Sequence, residues 1–258
     1  MDLQFEGQRF IVCGASSGFG EAIARQMLKE GANVVLVARR GNLLRENFGH
    51  YEDQTDIIEG SILYDDTLKK IEKSVQKKPF HGIVLNAGGP PTGTPLKTDL
   101  ADWDAAWQLV MRWKIDLTLR LAPLLVEKKY GRILFIESQS VKQPLPALTL
   151  SNSFRAGVVG FAKSLALEIA ENGVTVNVLA PGSHETPAIE RVIKNNSSLK
   201  GISYDKAKEE MVENIPVKRM GKAEEFASLA AWLLSPHSGY VTGQTISHDG
   251  GSIKGIFG

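Results

Sequence analysis

The 258-residue sequence predicts a doubly wound α/β fold, a parallel sheet with helices on both faces, in one domain. Three observations predict it. Short apolar runs recur along the whole chain, amphipathic segments of roughly 10 to 25 residues separate them, and the runs are continuously apolar rather than alternating. Continuous runs indicate strands covered on both faces, and intervening helices indicate right-handed crossovers.

The elements follow in order. "FIVC" (10–13) is a first strand that runs into the glycine-rich turn "GASSGFG" (14–20) and an amphipathic helix. "NVVLVA" (33–38) is the second strand, and a weaker one is expected near "DIIEG" (56–60). "GIVL" (82–85) and "RILFI" (132–136) follow, separated by a helical stretch carrying Trp103, Trp107 and Trp113, whose spacing suits packing or a subunit interface. "TLSNSFRAGVVGFAKSLALEIAENG", from Thr149 to Gly173, reads as one long helix leading to "VTVNVLA" (174–180), and "GQTISH" (243–248) closes the series. In 183–216, polar and Gly/Pro residues break the helical periodicity. This region is read as irregular, a mobile lid over the site, because ligands of such sheets lie beyond the carboxyl ends of the strands.

Composition narrows the function. The chain is 43% hydrophobic and 23% charged, enough for a full core, and 30 basic against 29 acidic side chains leave a formal charge of +1 with no basic tail. Nucleic acid and membrane are therefore not expected partners, and a small molecule is. The N-terminus "MDLQFEGQRFIVCG" has no apolar targeting core, and no segment reaches 18 uninterrupted apolar residues, so a soluble, cytoplasmic protein is expected. The single cysteine, Cys13, ends a buried strand and is read as a small hydrophobe. No metal-ligand set is assigned.

Gly14, Gly18 and Gly20 stand between a strand and a helix, with a second strand completing a 28-residue unit. Such a turn lets backbone approach a pyrophosphate at a helix N-terminus, where unpaired N–H groups and the macrodipole favour negative charge. Ser16, Ser17 and Phe19 occupy the same turn and are assigned to cofactor binding with the glycines. NAD-binding folds commonly place an acid at the end of the second strand to hold the ribose hydroxyls. Here Ala38, Arg39 and Arg40 stand there, and a guanidinium suits a phosphate, so NADP(H) is expected over NAD.

Together with "NAGG" (86–89), "GRILFIES" (131–138), "RAGVVGFAKSLALEIAENGVTVNVLAPG" (155–182), "IPVKRMGKAEEFASLAAWLL" (215–234) and "YVTGQTISHDGG" (240–251), these residues resemble the short-chain dehydrogenase/reductase family, in its 3-oxoacyl-[acyl-carrier-protein] reductase branch. The resemblance implies a Rossmann fold assembled as a homotetramer, with Asn86, Ala87 and Gly88 lining the cofactor cleft and Pro181, Gly182 and Thr186 near the nicotinamide end. It also implies an Asn–Ser–Tyr–Lys catalytic set. Counting from Gly131, the serine is Ser138, the tyrosine position holds Ser151, the lysine position Arg155, and the asparagine position Val110.

Those replacements matter chemically, because hydride transfer to a carbonyl leaves an oxyanion that needs a donor and a proton. Tyrosine, with a pKa of about 10, can supply one beside a cation, whereas an aliphatic hydroxyl is nearer water at about 15.7. The gap makes donation by Ser151 about 7 to 8 kcal/mol less favourable. Arg155 lies one helical turn from Ser151, on the same face, and can hydrogen-bond a ribose and supply fixed charge, but it relays no proton.

His184 or a water is the candidate replacement donor. Ser140 and Lys142 are candidates for holding a ligand, and "GGPPTGTP" (88–95) is read as a rigid turn. Glu137, beside Ser138, is expected to face away from the pocket by strand alternation. Two functions follow: an NADP(H)-dependent oxidoreductase acting on a carbonyl or alcohol through Ser138, Ser151, Arg155 and His184 by an atypical mechanism, or a catalytically inactive NADP(H)-binding pseudoenzyme with a sensing or scaffold role.

Overall fold

The computed structural model describes residues 1–256. Seven strands form one sheet: β1 (Arg9–Cys13), β2 (Asn33–Ala38), β3 (Thr55–Glu59), β4 (Gly82–Leu85), β5 (Gly131–Ile136), β6 (Val174–Pro181) and β7 (Thr245–His248). They run in parallel in the order β3-β2-β1-β4-β5-β6-β7. The strand order reverses direction between β1 and β4, where Ile11 lies opposite both Val35 and Ile83. A crevice opens there at the carboxyl edge.

Period-two alternation splits the apolar runs between two cores. Phe10, Val12, Val34 and Leu36 pack on helices α1 (Gly18–Lys29) and α9 (Ala223–Leu234) through Ile23, Met27, Phe226 and Ala230. Ile11, Val35, Ile83 and Phe135 face the opposite side, where α3 (Asp65–Lys77), α5 (Trp113–Glu127) and α6 (Thr149–Ile169) contribute Ile71, Leu117, Leu121, Val158 and Ala162. Two short helices, α2 (Gly41–Phe48) and α4 (Leu100–Ala106), complete the first half of the chain. The expected weak strand is β3, and the long helix is α6 continued by a short 3-10 turn to Asn172, closed by Gly173 at φ +72°.

The expectation of an irregular 183–216 is corrected. Two helices occupy it, α7 (Pro187–Lys200) and α8 (Tyr204–Glu213). The residues that break the periodicity are their caps. Thr186 accepts from the Ile189 N–H and Pro187 opens α7, Gly201 closes it at φ +64°, and Ser203 accepts from the Lys206 N–H to start α8. The two helices share a small core of their own around Ile193, Ala207, Ile215 and Met220.

Among the described residues no helix is long and apolar enough to cross a membrane, and no group of three or more His, Cys, Asp or Glu is placed to hold a metal ion.

Candidate functional site

The segments that leave β1, β2, β4, β5 and β6 at their carboxyl ends carry the candidate site residues. After β1 the chain turns through Gly14 at φ +68° and Gly18 at φ +61° into α1. Gly20 has no room for a side chain, since a Cβ there would stand 2.3 Å from the Gly14 carbonyl oxygen. The Asn86 amide after β4 donates to the Cys13 carbonyl at 3.3 Å, tying β4 to the turn. Ser17 N-caps α1 with no side-chain bond to it, so the helix's first N–H groups face the cleft uncapped. Gly88 has open space where a Cβ would lie. Thr186 faces the turn from the other side, 3.8 Å from where a Gly18 Cβ would sit.

Arg40 folds over this turn. Its Nη2 donates to Ser17 Oγ at 2.7 Å and to Ser16 Oγ at 3.0 Å, making a cluster of one guanidinium and two hydroxyls at the end of β2. Arg39 is exposed beside it. Cys13 is fully buried, and burial pushes its thiol up to about 12, which leaves it unreactive, as the sequence implies.

The second half of the site is a buried chain of charge. Arg155 on α6 donates from Nε to Ser151 Oγ at 3.0 Å, one turn back on the same face. Its Nη1 donates to the Glu137 carbonyl at 3.1 Å and to Glu137 Oε2 at 2.9 Å. The other carboxylate oxygen accepts from Lys114 Nζ of α5, which also donates to the Ile136 carbonyl at 3.3 Å. The side chains of Glu137, Lys114 and Arg155 are 0%, 2% and 9% exposed. Burial pulls the Lys114 ammonium below its ordinary value, and the Glu137 carboxylate opposes that pull.

Glu137 lies past the end of β5, with its carboxylate hidden from open solvent and backing Arg155. Sequence reasoning missed Lys114 altogether. The available signal was its place on the buried stripe of α5 with Leu117, Leu121 and Leu125, where an unpaired lysine is rare.

Ser138 Oγ accepts from the Ser140 N–H at 3.2 Å. The loop beyond it is fastened to α6 by Asn152, whose amide donates to the Leu145 carbonyl at 3.0 Å, and to the 88–95 turn by the Gly93 N–H, which donates to the Ala147 carbonyl at 2.7 Å. A cavity of about 450 Å³ lies between this loop and α7 and α8, lined by Gln139, Gln143, Ser183, Asn196 and Asn214 among others. Val110 is buried within a π-helical turn, Trp107–Arg112, and offers the cleft no polar group. Trp103 and Trp107 pack against Phe154 of α6, with ring centroids 5.7 and 6.2 Å apart, and Trp113 is buried in the core.

His184 is not brought to Ser138, Ser151 or Arg155 by any hydrogen bond among the described residues. It is 2% exposed. Its Nδ1 lies 3.1 Å from the Gly182 carbonyl and its Nε2 2.8 Å from His248 Nδ1. Phe19 and Phe226 pack edge-on against the ring. Burial lowers its pKa, which favours the neutral ring. Both nitrogens are engaged, so the geometry gives His184 a packing role.

A doubly wound sheet with a glycine turn, an asparagine and a serine at successive strand ends defines a dinucleotide-fold oxidoreductase. Residues 14–252 match the family described as Enoyl-(Acyl carrier protein) reductase. The chain belongs to the short-chain dehydrogenase/reductase family. It is 30% identical over 260 residues to the 3-oxoacyl-[acyl-carrier-protein] reductase FabG of Thermotoga maritima, covering 97% of this chain and 100% of that one. It is 30% identical over 252 residues to the NADPH-dependent reductase BacG of Bacillus subtilis, covering 95% and 97%. In structure it is similar to L-sorbose reductase from Gluconobacter frateurii complexed with NADPH and L-sorbose, at a TM-score of 0.92 and 27% identity over 99% of this chain and 100% of that one.

Proposed function

We propose that the protein is an NADP(H)-dependent reductase of small carbonyl compounds that works without a tyrosine acid. The observation that carries this reading is the bonding of two hydroxyls. Ser151 accepts from Arg155 and Ser138 accepts from the Ser140 N–H, which leaves the O–H proton of each for a ligand. Two such donors bind a carbonyl oxygen and stabilise the negative charge that develops on it.

The cleft fits a dinucleotide. Gly20 permits the close turn, Gly88 leaves open space, and the uncapped start of α1 meets a pyrophosphate. The Arg40, Ser16 and Ser17 cluster suits a ribose phosphate, and relatives described as NADPH-dependent support that choice. When bound, a dihydronicotinamide supplies hydride to the carbonyl carbon. Arg155, with Nη2 toward Gly89, holds positive charge beside the reacting oxygen, and Asn86, Ala87, Pro181, Gly182 and Thr186 line the cleft. The proton that completes the alcohol comes from solvent water, because Ser151 is too weak an acid and His184 is packed away.

Helices α7 and α8 form the lid over the substrate cavity. The amides of Gln139, Gln143, Asn196 and Asn214 give that cavity a polar lining suited to an oxygenated substrate. A homotetramer fits the family resemblance.

The test is NADPH and NADH titration by cofactor fluorescence, then NADPH oxidation against ketones, 3-oxo esters and ketoses. The expected result is tight NADPH binding and turnover that falls at least tenfold in both Ser138→Ala and Ser151→Ala. Tight binding with no turnover of any carbonyl would instead support a cofactor-sensing protein.

A further inference from the structure

Arg155 can hold positive charge at the cleft only if its own ion pair does not cancel it. Glu137 Oε2 accepts from Arg155 Nη1 at 2.9 Å with the carboxylate out of solvent, so Glu137 and Arg155 alone form a neutral pair. Lys114 changes the sum. Its ammonium meets the other oxygen of the same carboxylate and is itself 2% exposed. Among the described residues its acceptors are Glu137 and the Ile136 carbonyl. Two cations share one anion, and the buried trio carries one net positive charge.

We propose that Lys114 is a positioning residue that sets the charge of the site: by engaging Glu137 from behind, it leaves the positive charge of Arg155 uncancelled where a nicotinamide and a substrate oxygen meet. This inference rests on the cofactor reading above. The arrangement gives three buried residues divided tasks. Glu137 fixes the guanidinium so that Nε turns to Ser151, and its backbone carbonyl takes the second bond from Nη1. Among the described residues Lys114 makes no hydrogen bond to Ser151 or Arg155, and its side-chain partner in the trio is Glu137. Its charge compensates for what the fixing carboxylate would otherwise remove.

A fixed positive charge beside a nicotinamide disfavours the oxidised, cationic ring relative to the neutral reduced one. The ratio of NADP⁺ to NADPH dissociation constants therefore reads the charge of the trio without any turnover. The experiment measures NADPH binding by fluorescence and NADP⁺ by competition, in the wild type, Lys114→Met and the double variant Lys114→Met/Glu137→Gln, with circular dichroism to confirm folding. Lys114→Met leaves the neutral Glu137–Arg155 pair and is expected to lower the ratio on the order of tenfold, the size of one unit charge in a partly buried site. The double variant has one cation and no anion, so its ratio is expected to return toward wild type, and any reductase rate to recover with it.

A purely structural role predicts the opposite order, with the double variant no better than the single. A ratio unchanged in folded Lys114→Met, or no recovery in the double variant, overturns the inference while NADPH binding itself stands. Failure of the wild type to bind either nucleotide overturns the cofactor reading and this inference together. If Lys114→Met does not fold, Lys114→Gln keeps a donor for the Ile136 carbonyl and removes the same charge.

Discussion

Replacing Glu137 with glutamine should be among the most costly single changes in this protein. The carboxylate is 0% exposed and receives Lys114 on one oxygen and Arg155 on the other, so the substitution removes the anion from between two cations whose side chains are 2% and 9% exposed. Breaking a buried ion pair by removing one partner costs about 3 to 5 kcal/mol, because the remaining charge stays desolvated. At about 2 to 4 °C per kcal/mol for a chain near this size, the melting temperature should fall by roughly 10 °C.

The sign of the pH dependence follows from the charge left behind. In Glu137→Gln, Lys114 faces Arg155 without a counter-anion, and its folded-state pKa drops further below the unfolded value of about 10.4. The unfolded chain then binds the extra proton, so the variant gains stability as pH rises toward that value, more steeply than the wild type. Urea unfolding at neutral and alkaline pH measures both effects. A penalty under about 1 kcal/mol, or one that stays constant from about pH 7 to about pH 9.5, would refute the buried-charge argument.

Other outcomes follow from the same geometry. Arg40→Ala should weaken NADPH binding by about 10- to 100-fold, the loss of one charge-assisted contact, and change NADH binding far less; equal losses for both nucleotides would remove Arg40 from phosphate recognition. His184→Ala should destabilise the fold by about 2 to 4 kcal/mol through the space opened beside the Phe19–Phe226 pair, with kcat nearly unchanged, whereas a 100-fold or larger loss of kcat would put His184 in the chemistry. His81 accepts the Arg9 N–H at 2.9 Å and is lowered to about 4, chiefly by burial and then by Lys128. Its neutral form is therefore favoured in the fold, and stability should decline as pH falls from about 6.5 toward about 4, by up to about 3 kcal/mol before screening. His81→Gln should flatten that decline in an acid unfolding series, and an unaltered slope would assign it elsewhere.

The sheet and the glycine turn after β1 were legible in the sequence. Each strand is a run whose two faces are both buried, as Ile11 and Val12 show by packing into opposite cores, and that requirement leaves an uninterrupted apolar string that local reading detects. The glycine turn is legible from its spacing, since Gly14 and Gly18 take positive φ and Gly20 must clear the Gly14 carbonyl, while Asn86 and Thr186 close on it from distant segments. The 183–216 segment was misread because Thr186, Pro187, Gly201 and Ser203 act as caps, and the same residue types between elements would signal irregular chain.

The tertiary structure alone decided what surrounds Arg155. Lys114, Glu137 and Arg155 come from α5, the end of β5 and α6, and nothing in the spacing of residues 114, 137 and 155 shows that they meet. An ionisable side chain in an apolar stripe reveals that it is buried, but not which partner neutralises it, because the partner is chosen by how two helices pack on the sheet. The sequence thus determined the family and the sheet. Packing determined that His184 is held against Phe19, and that the Arg155 guanidinium is backed by a carboxylate and a second cation.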